Sequence, residues 1–299
     1  MTALYLDANL TDDERRHRLY QGDLFVYAPS PESLELVAFA REMLRQAFAP
    51  HDPELAQYSM PVADFAALLG ELKPKFIHHP ECKRLLPALL QRLGCDPHKT
   101  YFDVPRLRSA TSDEYLTTGI AYAFHPHRDT WYSAPFCQIN CWLPITALSP
   151  DNCMAFHSRY FAQPVRNSSE IYNYQEWNRT SRFNAAQQIN ADTRPQPKAL
   201  EPVELQPDVR VLPPPGGILL FSAAQLHSTV PNTSRRTRFS IDFRIVNLDD
   251  ATALRGARNV DSRCTGSTMG DYLRCTDLAH LPSAATAPYE AGPPQAATG

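Results

Sequence analysis

A strict two-residue alternation runs through positions 238–245, which read RFSIDFRI. Charged or hydroxyl side chains occupy the even positions, and phenylalanine and isoleucine occupy the odd ones. Successive side chains of a β-strand point to opposite faces, so this strand has one polar face and one apolar face. Such a strand fits a sheet that is covered on one side by a hydrophobic layer. We expect helices from the N-terminal part of the chain to supply that layer.

Helical patterns do dominate the first third of the sequence. Apolar residues recur at helical spacing in 30–49 behind a capping serine, Ser30 or Ser33. A second helix is predicted at about 61–72 and a third over 81–93, with Gly94 just beyond its end. A short strand is predicted within 21–29.

From Thr100 onward the pattern changes to strands. Alternating or continuously apolar runs without long helices between them indicate an antiparallel barrel or sandwich. Helices therefore precede strands, and we predict an α+β fold with N-terminal helices packed on a double-stranded β-helix, or jelly-roll, core. The runs lie at 100–111, 114–129, 136–146, 216–222 and 236–248.

These patterns predict one domain over 1–280, divided into a helical region at 1–99, a β-helix core at 100–250 and an extension at 251–280. The core is interrupted at 158–207 by a polar, aromatic insert, and its tyrosine, tryptophan and arginine residues favour an ordered lid. The remaining residues, 281–299, are rich in proline and small side chains and are predicted to be disordered.

Composition excludes several classes of protein. A net charge of −3 argues against nucleic-acid binding. No apolar run approaches the ~20 residues of a membrane helix, and the first residues lack the apolar core of a signal peptide. The seven cysteines form no CxxC pair, which indicates free thiols in a reducing compartment. We expect a cytoplasmic protein of unassigned oligomeric state.

Candidate metal ligands are concentrated in AYAFHPHRDTWYSAP at 121–135. If this segment is a strand, His125, His127 and Asp129 share one face. His127 and Asp129 form an H-x-D pair, and His227 follows the predicted strand at 216–222. Two imidazoles and one carboxylate on one side of a metal are the facial triad of non-haem Fe(II) sites. His125 is interpreted as a residue of the surrounding pocket.

A dicarboxylate site is predicted next to this triad. Arg238 lies eleven residues after His227, and its guanidinium suits both oxygens of a carboxylate. Ser240 shares its strand face and offers a further hydrogen bond. Gln138 and Asn140 lie on one face of the run at 136–146 and are predicted pocket groups, because amides need partners when buried.

Taken together, these motifs make the chain resemble Fe(II)/2-oxoglutarate-dependent oxygenases, nearest the phytanoyl-CoA-hydroxylase-like group. The resemblance covers about 116–247 and includes the H-x-D pair, the segment PGGILLFSAAQLHSTVPNTS and Arg-x-Ser at 238–240. It implies that His127, Asp129 and His227 bind iron, that 2-oxoglutarate and O₂ are co-substrates, and that Arg238 meets the far carboxylate of 2-oxoglutarate.

The substrate is expected to be a small, carboxylate-bearing molecule, because several arginines flank the motifs. Hydroxylation, desaturation and cyclisation of its unactivated C–H bond remain open. Two other classes also remain open: a metal-binding cupin, since GIAYAFHPH fits a G-x5-H-x-H motif through His125 and His127, and a non-catalytic β-sandwich binding module. The predicted substrate-pocket residues are His125, Trp131, Tyr132, Trp142, Arg108, Arg159 and Trp177.

Overall fold

A computed structural model describes residues 2–122 and 125–290, apart from the side chain of Phe183. The chain combines helices and β-sheets. The helices are α1 (Asp12–Tyr20), α2 (Pro31–Phe48), α3 (Val62–Ile77), α4 (Pro80–Arg92), α5 (Tyr174–Thr180), α6 (Leu248–Thr252) and α7 (Ser283–Thr286). The strands are β1 (Leu4–Leu6), β2 (Leu24–Tyr27), β3 (Thr100–Phe102), β4 (Arg106–Ala110), β5 (Ile139–Pro144), β6 (Met154–Phe156), β7 (Val209–Val211), β8 (Ile218–Ser222), β9 (His227–Thr229), β10 (Arg238–Asn247) and β11 (Leu273–Arg274).

The predicted helices are present, and side chains cap their first turns. Thr11 and Glu14 form a capping box at α1, and Ser30 with Ser33 does the same at α2. The second predicted helix extends to Ile77, five residues further than expected, and Pro74 lies inside its last turns. Gly94 follows α4 with φ +80°, a conformation that glycine adopts without strain.

The strands form two sheets. The eight-stranded sheet has the order β1-β2-β8-β5-β10-β3-β11, and β4 pairs with β10 beside β3. The three-stranded sheet has the order β7-β6-β9. Strand β10 pairs antiparallel with β3, β4 and β5, so the alternating segment singled out in the sequence lies at the centre of the larger sheet.

The two faces of the large sheet pack against different layers. Phe239, Ile241 and Phe243 on the odd face of β10 join the core formed with α2, α3 and α4, which confirms the predicted helical cover. On the other face, Trp142 and Phe221 pack with Phe156 of the smaller sheet. Side chains on the polar face of β10 are therefore directed to the region between the two sheets, where they can meet residues of the smaller sheet.

The segment at 114–129 differs from its predicted strand. A 3₁₀ turn occupies Gly119–Ala121 and another occupies Asp129–Tyr132, while residues 123 and 124 lie outside the described part. His127 retains one antiparallel bridge, to His227. Pro126 has no N–H for a ladder, and Gly119 has φ +58°, so regular pairing is confined to that bridge.

Disorder was predicted for 281–299, and that prediction is wrong for 281–290. This segment forms α7 and a 3₁₀ turn at Ala287–Tyr289. Leu281 and Tyr289 are buried in a second core cluster with Tyr101, Val246 and Tyr272. Burial of a few apolar side chains is enough to order a segment whose other residues are mostly small or polar. Residues 291–299 lie outside the described part.

All seven cysteines are free and buried, as the sequence predicted. Among the described residues, no helix is both long and apolar enough to cross a membrane. The insert at 158–207 contains only short helical segments, including α5, and its 3₁₀ turn Arg182–Gln187 contacts α3.

Candidate metal centre

His127, Asp129 and His227 converge at one point between the sheets. Their potential ligand atoms all lie within 4.8 Å of one another. Asp129 Oδ1 is 3.4 Å from His127 Nε2 and 3.9 Å from His227 Nε2. The bridge between His127 and His227, rather than the alternation of one strand, places the two imidazoles side by side.

Backbone carbonyls fix which imidazole nitrogen faces the centre. His127 Nδ1 donates to the carbonyl of His125 at 2.9 Å, and His227 Nδ1 donates to the carbonyl of Gln225 at 3.0 Å. A carbonyl only accepts, so each Nδ1 carries the proton and each Nε2 keeps its lone pair for a metal. Hydrogen bonds of this kind orient the histidine ligands of metal sites.

The ionisation states also suit a cation. Burial is the largest influence on His227 and lowers its pKa to about 3, which keeps the imidazole neutral. For Asp129, burial alone would raise the pKa, but interactions with His127 and His227 lower it to about 2. Two imidazoles and one carboxylate define the two-histidine, one-carboxylate class of metal centre, and this donor set fits Fe(II).

Asp129 Oδ2 has its own partners. Gln138 Nε2 donates to it at 3.3 Å, and Arg244 Nε lies 3.9 Å away. Gln138 also donates to Asn140 Oδ1 at 2.8 Å and accepts from the hydroxyl of Tyr272 at 2.7 Å. Gln138 and Asn140 were predicted as pocket groups. Tyr272 was missed, because nothing in its local sequence marks it as part of a site.

Arg128, between the two ligands of the H-x-D pair, is 1% exposed. Its guanidinium donates to Asp261 at 3.0 Å and to the carbonyls of Ala224, Tyr160 and Gln163. Asp261 also accepts from Trp131 Nε1 and from the backbone of Val165. Arg128 thus ties the ligand segment to the insert and to the C-terminal extension.

Removing the charge of Asp261 is expected to destabilise the protein. Asp261→Asn leaves Arg128 buried without an anionic partner, while its carbonyl partners remain, so we expect a loss of about 2 kcal/mol in the free energy of unfolding. Urea denaturation measures the change. Asp249→Asn removes the exposed pair with Lys99 and serves as the control, with an expected loss of under about 1 kcal/mol. Equal losses of stability in the two variants would contradict the inference that the Arg128–Asp261 pair ties these segments together.

Arg238 and Ser240 lie on the polar face of β10, and both are buried. The Arg238 guanidinium stacks on Trp142, 5.4 Å from the ring centroid, and donates to the carbonyl of Asn152 at 3.2 Å. Among the described residues, neither Arg238 Nε nor the Ser240 hydroxyl has a hydrogen-bond partner. Burial lowers the pKa of Arg238 to about 10, so the side chain is still a cation at neutral pH.

A cluster of aromatic rings lies between Arg238 and the candidate metal ligands. Trp142 belongs to the same cluster as Phe221 and Phe156. The Phe221 ring lies 5.0 Å from that of His227. Two unsatisfied donors therefore face the same intersheet region as the triad.

A ladder of charges continues along the polar face of the large sheet. Asp242 pairs with Arg108 at 2.5 Å and with Arg244 at 3.3 Å. Asp103 pairs with Arg106 and Arg244 at 2.5 and 3.5 Å. Burial is the main cause that raises the pKa of Asp103 to about 7. Arg108, predicted as a pocket residue, belongs to this ladder.

The other predicted pocket residues fall into different positions. Tyr132 packs edge-on against His127 at 5.6 Å, and a chain of rings continues from it through Tyr172 to Trp177. Trp131 is fully buried with Val165 and Leu226, so it packs the core instead of lining a pocket. That position differs from the prediction, because its indole faces Asp261.

Arg159 and His125 also differ from the prediction. Arg159 is half exposed at the surface and pairs with Glu204, so it is not brought to the triad. The side chain of His125 lines a separate surface cavity of about 260 Å³ with Lys198 and Glu201. Within the described part of the chain, His125 meets the centre through its backbone carbonyl, which accepts from His127 Nδ1.

No family model matches the chain, and no curated protein matches it. Solved structures with a similar chain trace include EvdO2 from Micromonospora carbonacea var. aurantiaca, with 14% identity, 80% of this chain and 92% of that chain covered, and a TM-score of 0.43.

Two further structures are similar to this chain. One is SnoN, described as a non-heme alpha ketoglutarate dependent epimerase from nogalamycin biosynthesis, with 14% identity, coverage of 79% of this chain and 84% of that chain, and a TM-score of 0.38. The other is the non-heme monooxygenase ThoJ, with 15% identity, coverage of 74% and 72%, and a TM-score of 0.37. TM-scores below 0.5 do not establish a shared fold, so a functional assignment depends on the site itself.

Proposed function

We propose that the protein is an Fe(II)- and 2-oxoglutarate-dependent oxygenase that oxidises an unactivated C–H bond of a small, carboxylate-bearing molecule. In this proposal the two sheets are the halves of a double-stranded β-helix, and the chain belongs near the phytanoyl-CoA-hydroxylase-like group. The observation that carries the proposal is a buried guanidinium without an anionic partner among the described residues, on the same intersheet face as a two-histidine, one-carboxylate triad.

The triad supports the iron part of the proposal. His127, Asp129 and His227 would hold the metal through Nε2, Oδ1 and Nε2, and three protein ligands leave positions for other ligands. Iron bound there with 2-oxoglutarate supplies O₂ activation and the oxidation of a C–H bond. The protein itself orients the ligands through backbone carbonyls and holds Asp129 in its ionised form.

Arg238 supports the 2-oxoglutarate part. Burying a cation without a partner is costly, so an unpaired buried guanidinium indicates that an anion normally completes the site. Its fork suits a carboxylate, and the Ser240 hydroxyl two residues away can donate to the same group. The Trp142 ring covers one face of the guanidinium and keeps water from it, which would strengthen an ionic contact with a bound carboxylate.

The charge ladder supports an anionic substrate. Three guanidiniums, from Arg106, Arg108 and Arg244, alternate with two carboxylates, from Asp103 and Asp242. Three guanidiniums against two carboxylates give the ladder a net positive charge, and the raised pKa of Asp103, about 7, increases that charge near neutral pH. The rings of Tyr132, Tyr172 and Trp177 extend from His127 into the insert, which we propose as a lid over the substrate.

The cupin alternative requires the side chain of His125 as a ligand. That side chain is exposed and lines a different cavity, whereas Asp129 lies in the ligand group. A non-catalytic binding module has no need of three converging ligands and a buried cation. Both alternatives are therefore less compatible with the geometry than an oxygenase.

The test supplies the protein with Fe(II), 2-oxoglutarate, O₂ and fractions of a metabolite pool, and follows succinate release. At least one fraction should stimulate release in the wild type and leave Asp129→Ala at background. The proposed function would be contradicted if no fraction stimulated succinate release and the protein did not bind 2-oxoglutarate. Testing fractions enriched in carboxylates and fractions enriched in neutral compounds shows whether the substrate bears a carboxylate, as proposed, or is neutral.

A further inference from the structure

The two oxygens of the Asp129 carboxylate have different surroundings. Oδ1 faces the Nε2 atoms of both histidines. Oδ2 accepts from Gln138 Nε2 at 3.3 Å and lies 3.9 Å from Arg244 Nε. Asp129 would therefore hold a metal at the triad through Oδ1, as long as Oδ2 keeps these donors. Holding it through one oxygen would leave more positions for other ligands.

The Gln138 amide makes this arrangement possible only in one of its two orientations. Its Nε2 donates to Asp129 and to Asn140, which uses both amide hydrogens. Turned over, the amide would place Oε1 against a carboxylate oxygen, and two acceptors repel one another. Gln138 is 2% exposed, so water is a poor substitute for a lost partner.

Tyr272 selects the correct orientation. Its hydroxyl donates to Gln138 Oε1 at 2.7 Å, and the tyrosine is 1% exposed. Tyr272 lies directly before β11 in the C-terminal extension, 134 residues from Gln138 along the chain. Its ring is held in the cluster that contains Tyr101, Val246 and Tyr289.

We propose that Tyr272 is a positioning residue of the metal centre, which acts on Asp129 through the Gln138 amide. The proposal rests on the proposed function only in requiring that the triad binds a divalent metal. It does not depend on 2-oxoglutarate or on the substrate. It makes the extension at 251–280 a component of the centre in addition to a packing element.

The test is anaerobic titration of the full chain with Co(II), which reports ligand number and geometry in its visible spectrum and is not oxidised as Fe(II) is. Tyr272→Phe removes one hydroxyl and keeps the ring, and it should raise the Kd for Co(II) about 10-fold. Its spectrum should also shift, because Asp129 can then bind through both oxygens. Tyr289→Phe is the matched control, since its hydroxyl lies in the same cluster but meets the Ala251 carbonyl and Cys137 Sγ instead of the Gln138 amide.

A double-mutant cycle separates this role from a general effect on packing. In a Gln138→Leu background there is no amide to orient, so adding Tyr272→Phe should change the Kd by less than about 2-fold. An unchanged Kd and spectrum in Tyr272→Phe would overturn the proposal, as would an equal effect in Tyr289→Phe or a 10-fold effect that persists in the Gln138→Leu background. Absence of Co(II) binding in the wild type would overturn the proposed function as well, whereas wild-type binding with an inert Tyr272→Phe overturns the positioning role alone.

Discussion

Asp129→Ala is expected to abolish metal-dependent turnover and to weaken metal binding by orders of magnitude. The substitution removes the single carboxylate among the three converging side chains, and two imidazoles remain. It also leaves Gln138 Nε2 without one of its two acceptors. The fold should persist, since Asp129 lies in a 3₁₀ turn and not in a sheet. Anaerobic Fe(II) titration, succinate release and thermal unfolding measure the three properties separately.

His125→Ala is the matched control for this experiment. His125 is two residues from a ligand, but its exposed side chain lines another cavity, and its backbone carbonyl is unaffected by the substitution. We therefore expect His125→Ala to retain iron and some activity. Iron loss in His125→Ala, with iron retained in Asp129→Ala, would shift the ligand pair to His125 and His127 and favour the cupin class.

Arg238→Gln is expected to weaken 2-oxoglutarate binding by about 30-fold to several-thousand-fold, or about 2–5 kcal/mol, with little change in iron affinity. The wild-type guanidinium is buried and unpaired among the described residues, so a bound carboxylate gains a charged contact that water weakly screens. Glutamine keeps a donor but loses the charge and the fork. The measurement is an anaerobic titration of the Fe(II) protein with 2-oxoglutarate, which follows the visible charge-transfer band.

Arg236→Gln is the control for this prediction. Arg236 lies two residues before Arg238 and forms an exposed pair with Glu54 at 3.5 Å, so its loss should leave the midpoint unchanged. Arg244→Gln tests a competing position for the carboxylate of 2-oxoglutarate, since Arg244 belongs to the charge ladder and its Nε lies 3.9 Å from Asp129 Oδ2. If the midpoint is unchanged in Arg238→Gln but shifts strongly in Arg244→Gln, 2-oxoglutarate binds at Arg244, and our assignment of Arg238 is wrong.

The sequence was most informative where function depends on residues close together in the chain. The two faces of β10 follow from alternation alone, because pleating sends neighbouring side chains to opposite sides whatever the rest of the fold does. The same reasoning found Arg238 and Ser240 on one face. His127, Asp129 and His227 were identified from spacing, although the predicted strand was wrong, because one bridge and one turn achieve the same convergence.

Contacts between distant segments were decided by the tertiary structure. Asp261 meets Arg128 across 133 residues, and Tyr272 meets Gln138 across 134. Neither partner has a local pattern that marks it, because a buried polar group needs only a complementary group nearby, wherever that group lies in the chain. Arg159 was predicted to line the pocket because it lies near the motifs in the sequence, but it pairs with Glu204 at the surface. The candidate ligands could thus be found from local sequence patterns, whereas the contacts that support them depend on how the insert and the C-terminal extension pack.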